Sequence, residues 1–248
     1  MAFAFYRVTL KRRRRLQNPE LFLSAIKGLI YRMDHKALDF LKENIERFPL
    51  NFYSKMFQIE DFPIFTSSET FHIKKSLHLQ WILNFLLEQV NSNFNYLILL
   101  ISVVSVAPNS LINLNSKILS NLILNFLKDD QKIIKKIDSQ IVKSAWEVLL
   151  EHFESDQIDE LIDLALNHSS TKKESISVIR YFAMKLLSKL IENPLTRSKL
   201  IENDSNKQKI VLFALKSGPL DDPKRAVRQE AARANNLWII FKEEGVLQ

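Results

Sequence analysis

Residue types able to do covalent or acid–base chemistry are sparse in this 248-residue chain, and their spacing does not favour it. There is no cysteine, which rules out a thiol nucleophile, disulfides and iron–sulfur clusters held by the chain's own thiolates. The five histidines, His35, His72, His78, His152 and His168, include no i, i+4 pair and no companion carboxylate at ligand spacing. His72 and His78 are six apart and fall on different helix faces. Each reads as a surface or satisfied core histidine. The glycines, Gly28, Gly218 and Gly245, are too scattered for a phosphate-cradling loop, and no serine stands in a nucleophile-elbow context. Asp156, Asp159 and Asp163 could supply a general acid–base pair. They lie opposite an apolar stripe of Ile158, Leu161, Ile162 and Ala165, which is how a solvated helix face looks. The expectation is a chain without catalytic activity, cofactor or metal.

A binding role falls instead to the stretch Lys207–Phe241, KQKIVLFALKSGPLDDPKRAVRQEAARANNLWIIF. It reads as a short apolar helix, a break at Gly218-Pro219, an aspartate pair and a second helix. Asp221 and Asp222 stand where a carboxylate caps free N–H groups at the positive end of the helix dipole, and Pro223 suits a first turn. Val227, Ala231, Ala234, Trp238 and Phe241 then recur at helical spacing as one apolar stripe. Asp221, Asp222, Val227 and Ala231 have the spacing of a HEAT-type repeat, in which alanines admit a neighbouring helix and Arg228 can reach the turn of the adjacent repeat. Lys224, Arg225, Arg228, Arg233 and Trp238 are the candidate partner-binding residues. A purely structural reading stays open beside this: Asp222 caps, Val227, Ala231 and Trp238 pack, and Arg228 pairs between repeats.

The formal net charge of +7 suggests a nucleic-acid footprint, but Arg7, Lys11 and Arg12 to Arg15 supply six of those charges within the first 17 residues. Without them the rest of the chain carries +1, so the basicity belongs to an N-terminal arm and not to a binding face. The arm reads as solvated chain, with nuclear import or nucleic-acid contact as its alternative role. It is followed by polar residues, unlike a secretory signal. The longest apolar run, Tyr96 to Ala107, is about half the length a bilayer crossing needs.

Helical spacing runs through most of the remaining chain. Asn18-Pro19 opens a helix with Leu21, Ala25, Ile26 and Leu29 inward, and Asp34 caps another through about Phe48, burying Leu38, Leu41 and Ile45. Residues 49–70 read as irregular and aromatic-rich. Helices are then expected over Glu69–Val90, Asn95–Val106 (buried on most sides), Ser116–Leu127, Gln131 towards Phe153, Asp156–Asn167 and Glu174–Ile191, the last closed by Asn193-Pro194. No strand alternation competes.

The order repeats. Ala107-Pro108 and Asn193-Pro194 each close a helix and lead to an Asp pair, Asp129-Asp130 and Asp221-Asp222. The prolines are 86 residues apart, two periods of about 43, within the HEAT/armadillo range. Ile179-Arg180-x-x-Ala183 matches Val227-Arg228-x-x-Ala231, and Ile134-Lys135 follows Asp129 as Val227-Arg228 follows Asp222. One helix pair cannot bury its own apolar face, so pairs stack. The fold class expected is all-α, a HEAT/armadillo-type α-solenoid of about five to six helix pairs over residues 18–242. A basic arm (1–17) precedes it and a tail (243–248) follows.

PLDDPKRAVRQEAARANNLWIIF resembles the C-terminal end of the large HEAT-repeat scaffold of the cytosolic iron–sulfur protein assembly (CIA) targeting complex, a family also known in nucleotide-excision repair and transcription. The resemblance is carried by Pro219, Leu220, Asp221, Asp222, Lys224, Arg225, Val227, Arg228, Glu230, Ala231 and Trp238. More loosely, Ala107-Pro108 with Leu114–Leu127, Val178–Pro194 and Ile26–Arg32 look like preceding elements. That scaffold is several times longer, so the chain would correspond to its C-terminal part. The resemblance implies a non-catalytic adaptor of the cytoplasm and nucleus that docks a small DUF59-type subunit and a WD40 propeller. Clusters would then be delivered to apo iron–sulfur client proteins of replication, repair and transcription. Two other readings stand beside it: a generic α-solenoid transport or vesicle adaptor, and a small HEAT-like DNA glycosylase. The glycosylase needs cations from several repeats converging on DNA.

Overall fold

A computed structural model describes residues 35–44, 68–128, 137, 139–169, 176–203 and 205–246. The basic arm, the expected helix after Asn18-Pro19, the Asp34 cap, the Asp129-Asp130 pair and Ile134-Lys135 lie outside the described residues, as does nearly all of segment 49–70. The described residues are helical throughout apart from turns, with no strand among them. In chain order the helices are α1 (His35–Asn44), α2 (Ser68–Gln89), α3 (Phe94–Val104), α4 (Asn109–Leu114), α5 (Ser116–Lys128), α6 (Ser139–His152), α7 (Ile158–Ser169), α8 (Ser177–Glu192), α9 (Pro194–Asn203), α10 (Ser205–Lys216) and α11 (Arg225–Val246). Most boundaries fall close to those expected. α4 was not expected, α9 and α10 replace one short helix, and α11 runs through residues 243–246, where a tail was expected. No described helix is long and apolar enough to cross a membrane.

The chain divides into two compact units. Among the described residues, the first takes everything up to Asn115 together with Ile137–Ser144. The second takes Ser116–Lys128 and everything from Ala145.

In the first unit, α2 and α3 pack as a hairpin. Asn93 joins them, its side-chain oxygen accepting the Asn95 N–H at 2.9 Å and so capping α3. α3 is buried from Tyr96 to Val104, as a sequence apolar on every side apart from Ser102 requires. Such a helix has no polar face, so its hydroxyls bond inward: Ser102 donates to the Ile98 carbonyl at 3.1 Å. Leu38 and Leu41 of α1 are buried, and His35 meets Trp81 edge to face with ring centroids 5.7 Å apart.

The second unit carries the candidate site. α7 touches both α5 and α10, forming one row, while α8 packs on α11. The pairs α7–α8 and α10–α11 join the rows. Trp146 of α6 stacks on Phe182 of α8 at 6.3 Å and meets His168 of α7 edge to face, so it ties both rows. Surface charges lace the first row: Lys128 of α5 bonds Glu160, and Lys207 of α10 bonds Asp159, both on α7.

Because Trp146 is fully buried, Trp146→Ala is expected to cost about 3–5 kcal/mol. Phe213→Ala is expected to stay within about 0.5 kcal/mol of wild type, since that ring is 75% exposed. Urea midpoints measure both.

Candidate functional site: the Asp222 turn and the basic face of α11

The chain leaves α10 through a short 3-10 turn, Pro219–Asp221. Asp222 then adopts φ −57°, ψ 138°, the extended geometry that a residue before proline prefers. This places its side chain back over the start of α11, where Oδ1 accepts the Lys224 N–H at 2.8 Å. The two aspartates part company here: Asp221 is exposed and Asp222 is fully buried. Pro223 precedes α11 and is not part of its first turn.

A bare carboxylate so deeply buried would be costly, and Arg180 of α8 meets it. Its Nε donates to Oδ2 at 2.6 Å and its Nη2 to Oδ1 at 3.3 Å, a two-pronged fork across 42 residues of sequence. Burial alone would raise the Asp222 pKa. The Arg180 bonds, the Lys224 N–H and the charges of Arg180 and Arg228 outweigh it and hold the carboxyl below its ordinary 3.8.

Arg228 behaves differently from the expectation that it pairs between repeats. Its Nη1 donates to the backbone carbonyl of Asp222, within its own turn. The bond between helix pairs is made by Arg180, which holds the matching position in the Ile-Arg-x-x-Ala motif of α8. Three more bonds run along the α8–α11 seam. Ser188 Oγ donates to Glu230 Oε1 at 2.9 Å, Trp238 Nε1 donates to the Leu187 carbonyl at 3.0 Å, and Arg233 pairs with Glu192.

The candidate docking residues therefore separate. Trp238 is fully buried, so the structure removes it from any docking surface and makes it a core residue that also closes the seam. Val227 and Ala231 are buried as well. Arg233 is exposed but engaged with Glu192. Lys224 and Arg225 are exposed, and neither side chain has a partner among the described residues. Sequence reasoning missed Arg180, Ser188 and Glu230 as seam residues. The match of Ile179-Arg180-x-x-Ala183 to Val227-Arg228-x-x-Ala231 pairs Arg180 with Arg228 but does not show which of the two grips a carboxylate across the seam.

The acidic row has its own partners: Asp156 lies 3.5 Å from Lys117, and Asp159 is bonded to Lys207. Asp163 is exposed. His168 is buried, with Nε2 2.9 Å from the Leu127 carbonyl. Burial pushes the His152 pKa down against the opposing charge of Glu151. Among the described residues no three His, Asp or Glu side chains gather as a metal site. No protein-family model, curated protein or solved structure matches the chain.

Because the folded-state pKa of Asp222 lies below 3.8, its bonds stabilise the fold fully above that value and are lost as pH falls beneath it. Asp222→Asn is expected to be less stable than wild type at neutral pH and to lose less on acidification to about pH 3. Urea midpoints at the two pH values measure the difference.

Proposed function

We propose that the chain is a non-catalytic HEAT-repeat adaptor, the C-terminal part of the large scaffold of the CIA targeting complex. It would dock the DUF59-type and WD40-propeller subunits and help deliver clusters to apo iron–sulfur proteins in cytoplasm and nucleus. The observation that carries the reading is the buried Arg180–Asp222 fork, 42 residues apart in the chain. It joins the Pro-Leu-Asp-Asp turn on which the resemblance rests to the preceding helix pair, as a repeat scaffold needs. Lys224 and Arg225 beside that turn, exposed and with no side-chain partner among the described residues, supply a surface that can change without disturbing the seam.

A generic α-solenoid interaction scaffold is the second reading. Ile210 and Phe213 of α10, 55% and 75% exposed, favour it as apolar side chains able to serve an unrelated partner. The glycosylase alternative has no such support, since the excess charge lies in an arm outside the described residues.

Size exclusion of the chain with the two smaller CIA subunits tests the proposal. Wild type is expected to co-elute, and a Lys224→Glu/Arg225→Glu variant with unchanged circular dichroism is expected to fail. Co-elution of both moves the docking surface elsewhere. Co-elution of neither removes the CIA assignment.

A further inference from the structure

The α8–α11 seam specifies what belongs on the opposite face of α11. α8 meets the next helix pair through Arg180, the Leu187 carbonyl, Ser188 and Glu192. Shifted by 48 positions, these become Arg228, Asn235, Asn236 and Ile240 of α11. The correspondence is not arbitrary, because the buried positions align too: Ile179, Ala183, Leu186 and Leu190 fall on Val227, Ala231, Ala234 and Trp238. In α8 the matching Arg180, Met184 and Ser188 are buried. In α11 Arg228, Ala232, Asn236 and Ile240 are exposed.

The guanidinium of Arg228 points the same way. Arg180 grips Asp222 with its Nε and Nη2 edge. Arg228 spends Nη1 on the carbonyl of its own turn, and its Nε–Nη2 edge has no partner among the described residues. The bond to the Asp222 carbonyl uses one nitrogen of an exposed guanidinium and leaves the Nε–Nη2 edge, the one suited to a carboxylate, for another acceptor. Lys224 and Arg225 beside it add positive charge.

We infer that this face of α11 is a docking site for a helix pair of another polypeptide whose connecting turn presents an aspartate or glutamate to the Nε–Nη2 edge of Arg228. The partner helix lies along Ala232, Asn236 and Ile240 as α11 itself lies along α8. A second copy of this chain is the wrong occupant. The Asp222 of each copy is already buried on its own Arg180 and cannot serve a second arginine. The inference does not depend on the CIA reading, since it fixes the chemistry of a partner and not its identity.

Attaching such a pair covalently makes weak docking readable through high local concentration. The tandem chain is residues 1–241 followed by a second copy of residues 194–248, which keeps the 48-residue register. Hydrogen exchange of the second copy is expected to be slowed to the level of α10 and α11 in the parent. Arg228→Glu in the first copy, or the substitution equivalent to Asp222→Asn in the second, is expected to restore exchange at least tenfold faster. The asparagine keeps the turn's capping ability, so loss in that variant reports the missing charge. The parent chain carrying Arg228→Glu should keep its helical circular dichroism. A second copy that is unprotected in the tandem, or equally protected in either variant, overturns the inference.

Discussion

Arg180 and Asp222 are separated by 42 residues, yet Nε and Oδ2 lie 2.6 Å apart with both side chains withdrawn from water. Desolvating two charges costs several kcal/mol, and attraction offsets that only when geometry is good and the remaining polar atoms are satisfied. Here both carboxylate oxygens are used, Oδ2 by Arg180 and Oδ1 by Arg180 and the Lys224 N–H. The pair accepts few alternative arrangements. A slip of α11 along α8 would strand a buried carboxylate, so the fork fixes the register that the other seam bonds share. Ser188 then faces Glu230, the Leu187 carbonyl faces the Trp238 indole, and Glu192 faces Arg233. Apolar burial by Val227, Ala231, Ala234 and Phe241 supplies the driving force, and the polar contacts select one docking among many apolar ones.

The second unit uses a different chemistry in its other row. Lys117, Lys128 and Lys207 reach Asp156, Glu160 and Asp159 on the surface. Exposed pairs of this kind contribute at most about 1 kcal/mol each. They orient α5 and α10 about α7 without anchoring them. Trp146 of α6, fully buried between Phe182 and His168, ties α7 to α8 through its ring contacts. The α8–α11 seam holds the Asp222 turn in place, while Lys224, Arg225 and Arg228 lie on the exposed side of α11.

Much of this was legible in the sequence because helical periodicity is a local property. The apolar stripe Val227–Phe241, the buried character of α3 and the closing role of Asn193-Pro194 were all read from spacing alone. The Asp turn was legible as well, because capping chemistry is local. What spacing could not give was the partner across the seam. Asp221 and Asp222 look equivalent in sequence and differ completely in burial. Arg228 and Arg180 hold matching motif positions, yet Arg180 bonds the Asp222 carboxylate while Arg228 bonds the backbone carbonyl of the same residue. Trp238 read both as core and as surface anchor, a choice that depends on which helix lies opposite. The two compact units likewise depend on contacts between distant parts of the chain, which spacing does not report.

The central claim is that the Arg180–Asp222 fork couples α8 to α11 as one cooperative element. A double-mutant cycle with Arg180→Met, Asp222→Leu and the pair together, read as unfolding free energies in urea at neutral pH, tests it most directly. Either single change should cost about 3–5 kcal/mol by leaving a buried charge alone, and the double should cost far less than their sum. Additive losses would contradict the account, since they would mean that the two side chains stabilise the fold independently.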